Sequence, residues 1–200
     1  MPSRYPRAAL ILSLLGTLGG GGATAAPEWQ RIRSANFLFS ASLPGQPEIK
    51  RHHSSSFVGN TRSTMVESRL RDTYVAVVVT RLPRAAAWLA PRQFLFRQAR
   101  RRLIEANDFL DRGVASTTRS NIVGQLFHFA TRTGGTEPPR RGRAELYVLR
   151  GHLILAIGSQ SAASSTALVD RFFASLDLNV EDCRHQESAG RCKVDLVLAE

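Results

Sequence analysis

The run Tyr74-Val75-Ala76-Val77-Val78-Val79-Thr80 constrains the chain more than any other stretch. It is apolar at nearly every position and rich in β-branched side chains, and at seven residues it is far too short to span a bilayer as a helix. A strand of this kind is apolar on both faces, so it belongs inside a sheet that is covered from both sides. A second β-rich run, Thr64 to Leu70, precedes it across Arg71-Asp72-Thr73, and the two predict an antiparallel pair.

The remaining patterns are arranged around that pair. Phe37, Phe39, Ala41 and Leu43 alternate with other residues and stop at Pro44-Gly45-Gln46-Pro47, which predicts a strand and a turn. Ser54 to Asn60 reads as a polar connection. Pro91 opens a run of helix formers to Asn107, with Leu95, Phe96, Ala99, Leu103 and Ala106 on one side at 100° per residue. After Gly113, β-rich runs at Val114–Ser120 and Gly124–Arg132 lead to the Gly- and Pro-rich segment Thr133 to Arg141, which reads as an exposed hairpin loop. Strands at Arg143–Arg150 and His152–Gln160 meet at Gly151. The serines of Ser161 to Ser165 offer N-caps to a second helix carrying Leu168, Val169, Phe172 and Phe173, and Leu176 to Val180 alternates as a short strand. Strands arriving in consecutive runs favour an α+β sandwich on a mostly antiparallel sheet with two main helices. No repeat of 20–50 residues is present.

At 200 residues the chain is long enough for one domain with a real core. Its first 25 residues have the form of a signal peptide: Arg4 and Arg7, an apolar stretch from Ala8 to Leu18, a glycine break, and the site Ala23-Thr24-Ala25. The expectation is cleavage after Ala25, a domain over 26–180, and a periplasmic or secreted location. No later run approaches the roughly 20 apolar residues of a spanning helix, so no membrane span is expected in the mature form. In an oxidising compartment Cys183 and Cys192 are expected to pair, making 181–200 a disulfide-closed tail stabilised by about 2–3 kcal/mol.

Five segments together resemble the PsbP-like fold family. They are Phe39-Ser40-Ala41-Ser42-Leu43-Pro44-Gly45-Gln46-Pro47, Tyr74-Val75-Ala76-Val77 with Pro83 closing the run, Gly124-Gln125-Leu126-Phe127, Arg143-Ala144-Glu145-Leu146-Tyr147-Val148-Leu149, and Phe172-Phe173-Ala174-Ser175-Leu176. The resemblance extends over about residues 36–178. That family includes photosystem II extrinsic proteins, nuclear Ran-binding proteins and many uncharacterised exported bacterial proteins. It implies an α+β sandwich used for binding or assembly support. The matching positions are core-forming ones, and the resemblance transfers no catalytic or binding residue.

Chemistry-bearing residues are sparse. His52-His53, with Glu48 upstream and His128, His152 and His185 elsewhere, lacks a metal-ligand spacing, and adjacent strand residues face opposite ways. Gly158-Ser159-Gln160-Ser161 misses the G-x-S-x-G elbow, Asp108 and Asp111 read as a charged helix-terminal loop, and Gly134-Gly135 has no P-loop lysine. No cofactor or metal is expected. The 25 arginines against two lysines, within a net charge of +11, are the strongest signal. Arg97, Arg100 and Arg101 project from the polar side of the first helix, and Arg140, Arg141 and Arg143 flank Pro138-Pro139, giving two candidate patches for an anionic partner. An exported chain without a helix-turn-helix, RNP or zinc-finger pattern is not expected to bind nucleic acid. The expected function is a non-enzymatic binding or assembly module of the cell envelope, its partner an envelope protein or an anionic envelope component. The alternative is a hydrolase whose site is assembled in space around His128 or His152.

Overall fold

A computed structural model describes residues 27–36, 38–56, 59–131, 138–178 and 196–198. The expected signal segment, Cys183 and Cys192, His185, Phe37 and the loop residues 133–137 lie outside the described residues. The chain runs through β1 (Trp29–Ser34), β2 (Phe39–Pro44), β3 (Glu48–Ser56), β4 (Gly59–Leu70), β5 (Thr73–Arg81), α1 (Arg84–Leu89) and α2 (Arg92–Ala106). It continues as β6 (Phe109–Arg119), β7 (Ile122–Thr131), β8 (Arg140–Leu149), β9 (His152–Ser161), α3 (Ala167–Ser175), β10 (Asp177–Leu178) and β11 (Leu196–Leu198).

Seven strands form one antiparallel sheet in the order β3-β4-β5-β9-β8-β7-β6. The β5 run is covered on both faces, as its composition requires. Val75, Val77 and Val79 enter one core with Ile154, Ala156 and Tyr147 of the same sheet, with Val169, Phe172 and Phe173 of α3, and with Ile32, Phe39, Ala41 and Leu43 of a small second sheet. Ala76 faces the other way, into a core with Phe96 of α2 and Phe127, Phe129, Ala144, Leu146 and Ile157. The small sheet has the order β10-β2-β1-β11, antiparallel except for β1 beside β11.

Several expectations are corrected. Ser54–Ser56 and Gly59–Asn60 are not a polar connection: they belong to β3 and β4, which pair as a long antiparallel ladder out to Ser56 and Gly59. β3 was hidden because it is an edge strand with little apolar pattern, and Ile49 is 40% exposed. Gly113 does not precede a strand but lies within β6, at φ +116°, where the pairing with β7 shifts register between Asp111 and Val114. Arg140 and Arg141 are not loop residues but open β8. On α2 the buried residues are Leu95 and Phe96, whereas Ala106 is exposed. The cap of α3 is Thr166, which makes no side-chain cap hydrogen bond, and Ser165 Oγ instead accepts from the Ala167 backbone N–H at 3.3 Å. Among the described residues the closing strand is Asp177–Leu178. Two-residue turns at Ser120-Asn121 and Arg150-Gly151, all at positive φ, join β6 to β7 and β8 to β9. No helix among the described residues is long and apolar enough to cross a membrane.

Candidate anion-binding cleft

Strand alternation decides where the arginines go. In β8, Arg141 and Arg143 stand on the face that carries α3, while Arg140 stands on the face that carries α2. The three therefore do not make one patch. Arg140 lines a cleft of 620 Å³ with Arg69, Arg71, Tyr74 and Phe109, and there its guanidinium donates to Asp72 O at 2.8 Å. On the same face a half-buried cluster joins Lys50, Glu67 and Tyr74: Lys50 Nζ donates to Glu67 Oε1 at 2.5 Å and Tyr74 Oη to Oε2 at 2.9 Å. Burial alone would raise the Glu67 carboxyl, but the hydrogen bonds from Lys50 and Tyr74 outweigh it and hold the group below its ordinary value. Burial, and then the bond to Glu67, pushes the Tyr74 phenol up.

Arg141 and Arg143 belong to a second cleft, of 380 Å³, between α3 and strands β6 to β9. The register builds its floor as two rows. Ala130, Arg141 and Gln160 lie side by side across β7, β8 and β9, and His128, Arg143 and Gly158 form the next row on the same face. α3 closes one wall with Val169 and Asp170, and Arg112 reaches in from the bulged part of β6. Gly158 lets α3 sit close, since a Cβ there would lie 2.8 Å from Val169 Cγ1 and 3.0 Å from the Phe173 ring.

The polar groups of this cleft are unevenly satisfied. Arg143 stacks 4.1 Å from the centre of the Phe173 ring and pairs with Asp170 Oδ1 at 3.6 Å, yet its buried Nε–H has no hydrogen-bond partner among the described residues. The Ser164 carbonyl accepts from Arg141 at 3.3 Å and from Gln160 Nε2 at 3.1 Å. Gln160 is 2% exposed, and its Oε1 has no partner among the described residues. Arg112 makes no ion pair or hydrogen bond among them. Three guanidinium groups against one carboxylate leave this small, largely apolar space with excess positive charge.

The other candidates lie elsewhere. Arg97 is exposed, Arg100 Nε lies 3.5 Å from Asp111 Oδ2, and Arg101 Nε donates to Glu105 Oε1 at 2.6 Å, so two of the three helix arginines are already matched by an acid. None of the three lines the α3 cleft. Asp111 also accepts from the Gly113 N–H at 3.1 Å and so supports the bulge. His128 is exposed in the cleft floor. His152 lies outside it, with Nδ1 3.0 Å from Arg150 O. His52 and His53 are exposed on β3, and the described residues hold no group of three or more metal-binding side chains. Arg112, Gln160 and Asp170 were not singled out from the sequence. One signal for Gln160 was legible, because a two-residue turn at Arg150-Gly151 fixes the register that sets Arg141 opposite Gln160.

A seven-stranded antiparallel sheet with helices on both faces and a small second sheet against one of them places the chain in the α+β class with the PsbP-like fold. The solution structure of cyanobacterial PsbP (CyanoP) from Synechocystis sp. PCC 6803 is similar over 82% of this chain and 99% of that one, at 16% identity and a TM-score of 0.54. A crystal structure from Bacteroides thetaiotaomicron aligns over 72% of this chain and 46% of that chain, with 8% identity and a TM-score of 0.41. One of a Pseudomonas aeruginosa protein of unknown function aligns over 82% and 91%, with 11% identity and a TM-score of 0.34. The fold assignment rests on the first. No family model and no curated protein matches the sequence.

Proposed function

We propose that this chain is an exported, non-enzymatic binding module of the cell envelope that holds an anionic group of its partner in the cleft between α3 and β6–β9. The observation that carries the reading is the convergence of Arg112, Arg141 and Arg143 on one small cleft with a single opposing carboxylate, Asp170. Arginine suits the task because its planar, permanently charged fork matches a carboxylate or phosphate edge. The N-terminal pattern Arg4 to Ala25 supports export, and a periplasmic or secreted site follows from it.

Retention of the purified mature protein on washed envelope fractions tests this. Arg112→Glu/Arg141→Glu should release it, and added salt should do the same to the parent protein, whereas Arg97→Ala/Arg101→Ala should bind as the parent does. Undiminished retention of the charge-reversed variant, with its circular dichroism unchanged, would remove the cleft from the function.

A further inference from the structure

Two buried polar atoms of the α3 cleft lack partners among the described residues, and they are of opposite kind. Arg143 Nε–H is a donor, and Gln160 Oε1 is an acceptor. The orientation of the Gln160 amide is fixed, because its Nε2 already donates to Ser164 O at 3.1 Å, which leaves the oxygen as the unmet end. A buried acceptor without a partner is costly, and a cationic ligand group would face three guanidinium groups. The register places Arg141 directly beside Gln160 on one face, so a cation and an unmet acceptor stand side by side. Ala130 and Val169 add apolar lining.

From this geometry we infer that the ligand is a carboxylate with an N–H or O–H donor on the adjacent carbon and an apolar side chain, the chemistry shared by an N-acylated amino acid and the C-terminal residue of a peptide. The inference rests on the reading of this cleft as the anion site and narrows it. The carboxylate takes the arginine edge, its neighbouring donor meets Gln160 Oε1, and the side chain lies on the apolar lining. A dianionic phosphate fits less well, because it would bring a second negative charge toward Asp170, which is already 3.6 Å from Arg143.

Calorimetric titration of the mature protein with N-acetyl-leucine tests the assignment. Against it stand 4-methylpentanoate, which keeps the carboxylate and apolar chain but lacks the amide, the methyl ester of N-acetyl-leucine, and inorganic phosphate. N-acetyl-leucine should bind, 4-methylpentanoate about five- to tenfold more weakly, and the ester and phosphate not measurably. Gln160→Met should abolish the difference between the two carboxylates while leaving 4-methylpentanoate binding unchanged, a readout that a merely structural role for Gln160 would not give. A tetrapeptide ending in leucine distinguishes the sources: markedly tighter binding than N-acetyl-leucine assigns a chain terminus, and equal binding assigns a free acylated amino acid. Equal affinity of the two carboxylates in the parent protein, or binding of phosphate alone, would overturn the inference and leave the anion cleft standing. Binding of none of these probes would overturn both.

Discussion

Glu145 is 4% exposed, yet its carboxylate is fully engaged. Arg119 donates to both of its oxygens, at 3.1 and 3.3 Å, and to Leu176 O at 2.9 Å, while the buried Tyr147 donates to Glu145 Oε2 at 2.7 Å. One guanidinium thus ties the edge of the sheet to the end of α3, and removing it would strand a buried charge. Burial, and then the hydrogen bond to Glu145, pushes the Tyr147 phenol from 10.0 up to about 12. A phenol raised in the folded state keeps its proton after the unfolded chain has lost it, so its contribution is intact below pH 10 and is lost as pH rises towards 12. The slope from this one group is at most about 1.4 kcal/mol per pH unit. Tyr147→Phe should therefore flatten the fall of the urea midpoint between pH 10 and 12 relative to the parent protein, and parallel profiles would contradict the assignment.

At the scale of elements, α3 is the piece on which both the core and the cleft depend. Its Val169, Phe172 and Phe173 are buried between the two sheets, and the same helix supplies Asp170 and the ring under Arg143. Gly158→Ala places a methyl group against Val169 and Phe173 and forces α3 outward. This overpacking should cost about 1–3 kcal/mol and lower Tm by roughly 2–12 °C in a scanning-calorimetry trace. An unchanged Tm would show that α3 yields at no cost. The elements that sequence patterns revealed are those with a buried apolar side. β5 announced itself through both faces, and α2 and α3 through one stripe each. β1 was missed because Ile32 is its only fully buried apolar residue, and β3 because an edge strand can be polar throughout. In β6 the bulge at Gly113 breaks the alternation on which strand recognition relies.

Taken whole, the molecule has a fold that composition and patterning largely anticipated, and a candidate cleft two of whose arginines they singled out. Arg141 and Arg143 stood out by charge, but their separation from Arg140 follows from strand alternation once β8 is known to begin at Arg140. Arg112 and Asp170 reach the cleft from opposite walls, a convergence that only tertiary packing creates. The export reading makes its own prediction at this scale: N-terminal sequencing of the protein recovered outside the cytoplasm should begin at Ala26, and a product that begins at Met1 would refute it. The parallel pairing of Ile32, Arg33 and Ser34 with Leu196, Val197 and Leu198 bears on timing. The four-stranded sheet draws two strands from residues 29–44 and two from residues 177–198. A ribosome that makes the chain in order has to reach residue 198 before β1 can gain its second neighbour, so this pairing forms only after every strand of the seven-stranded sheet has been made. Until then β1 is an open seam, paired with β2 along one edge alone.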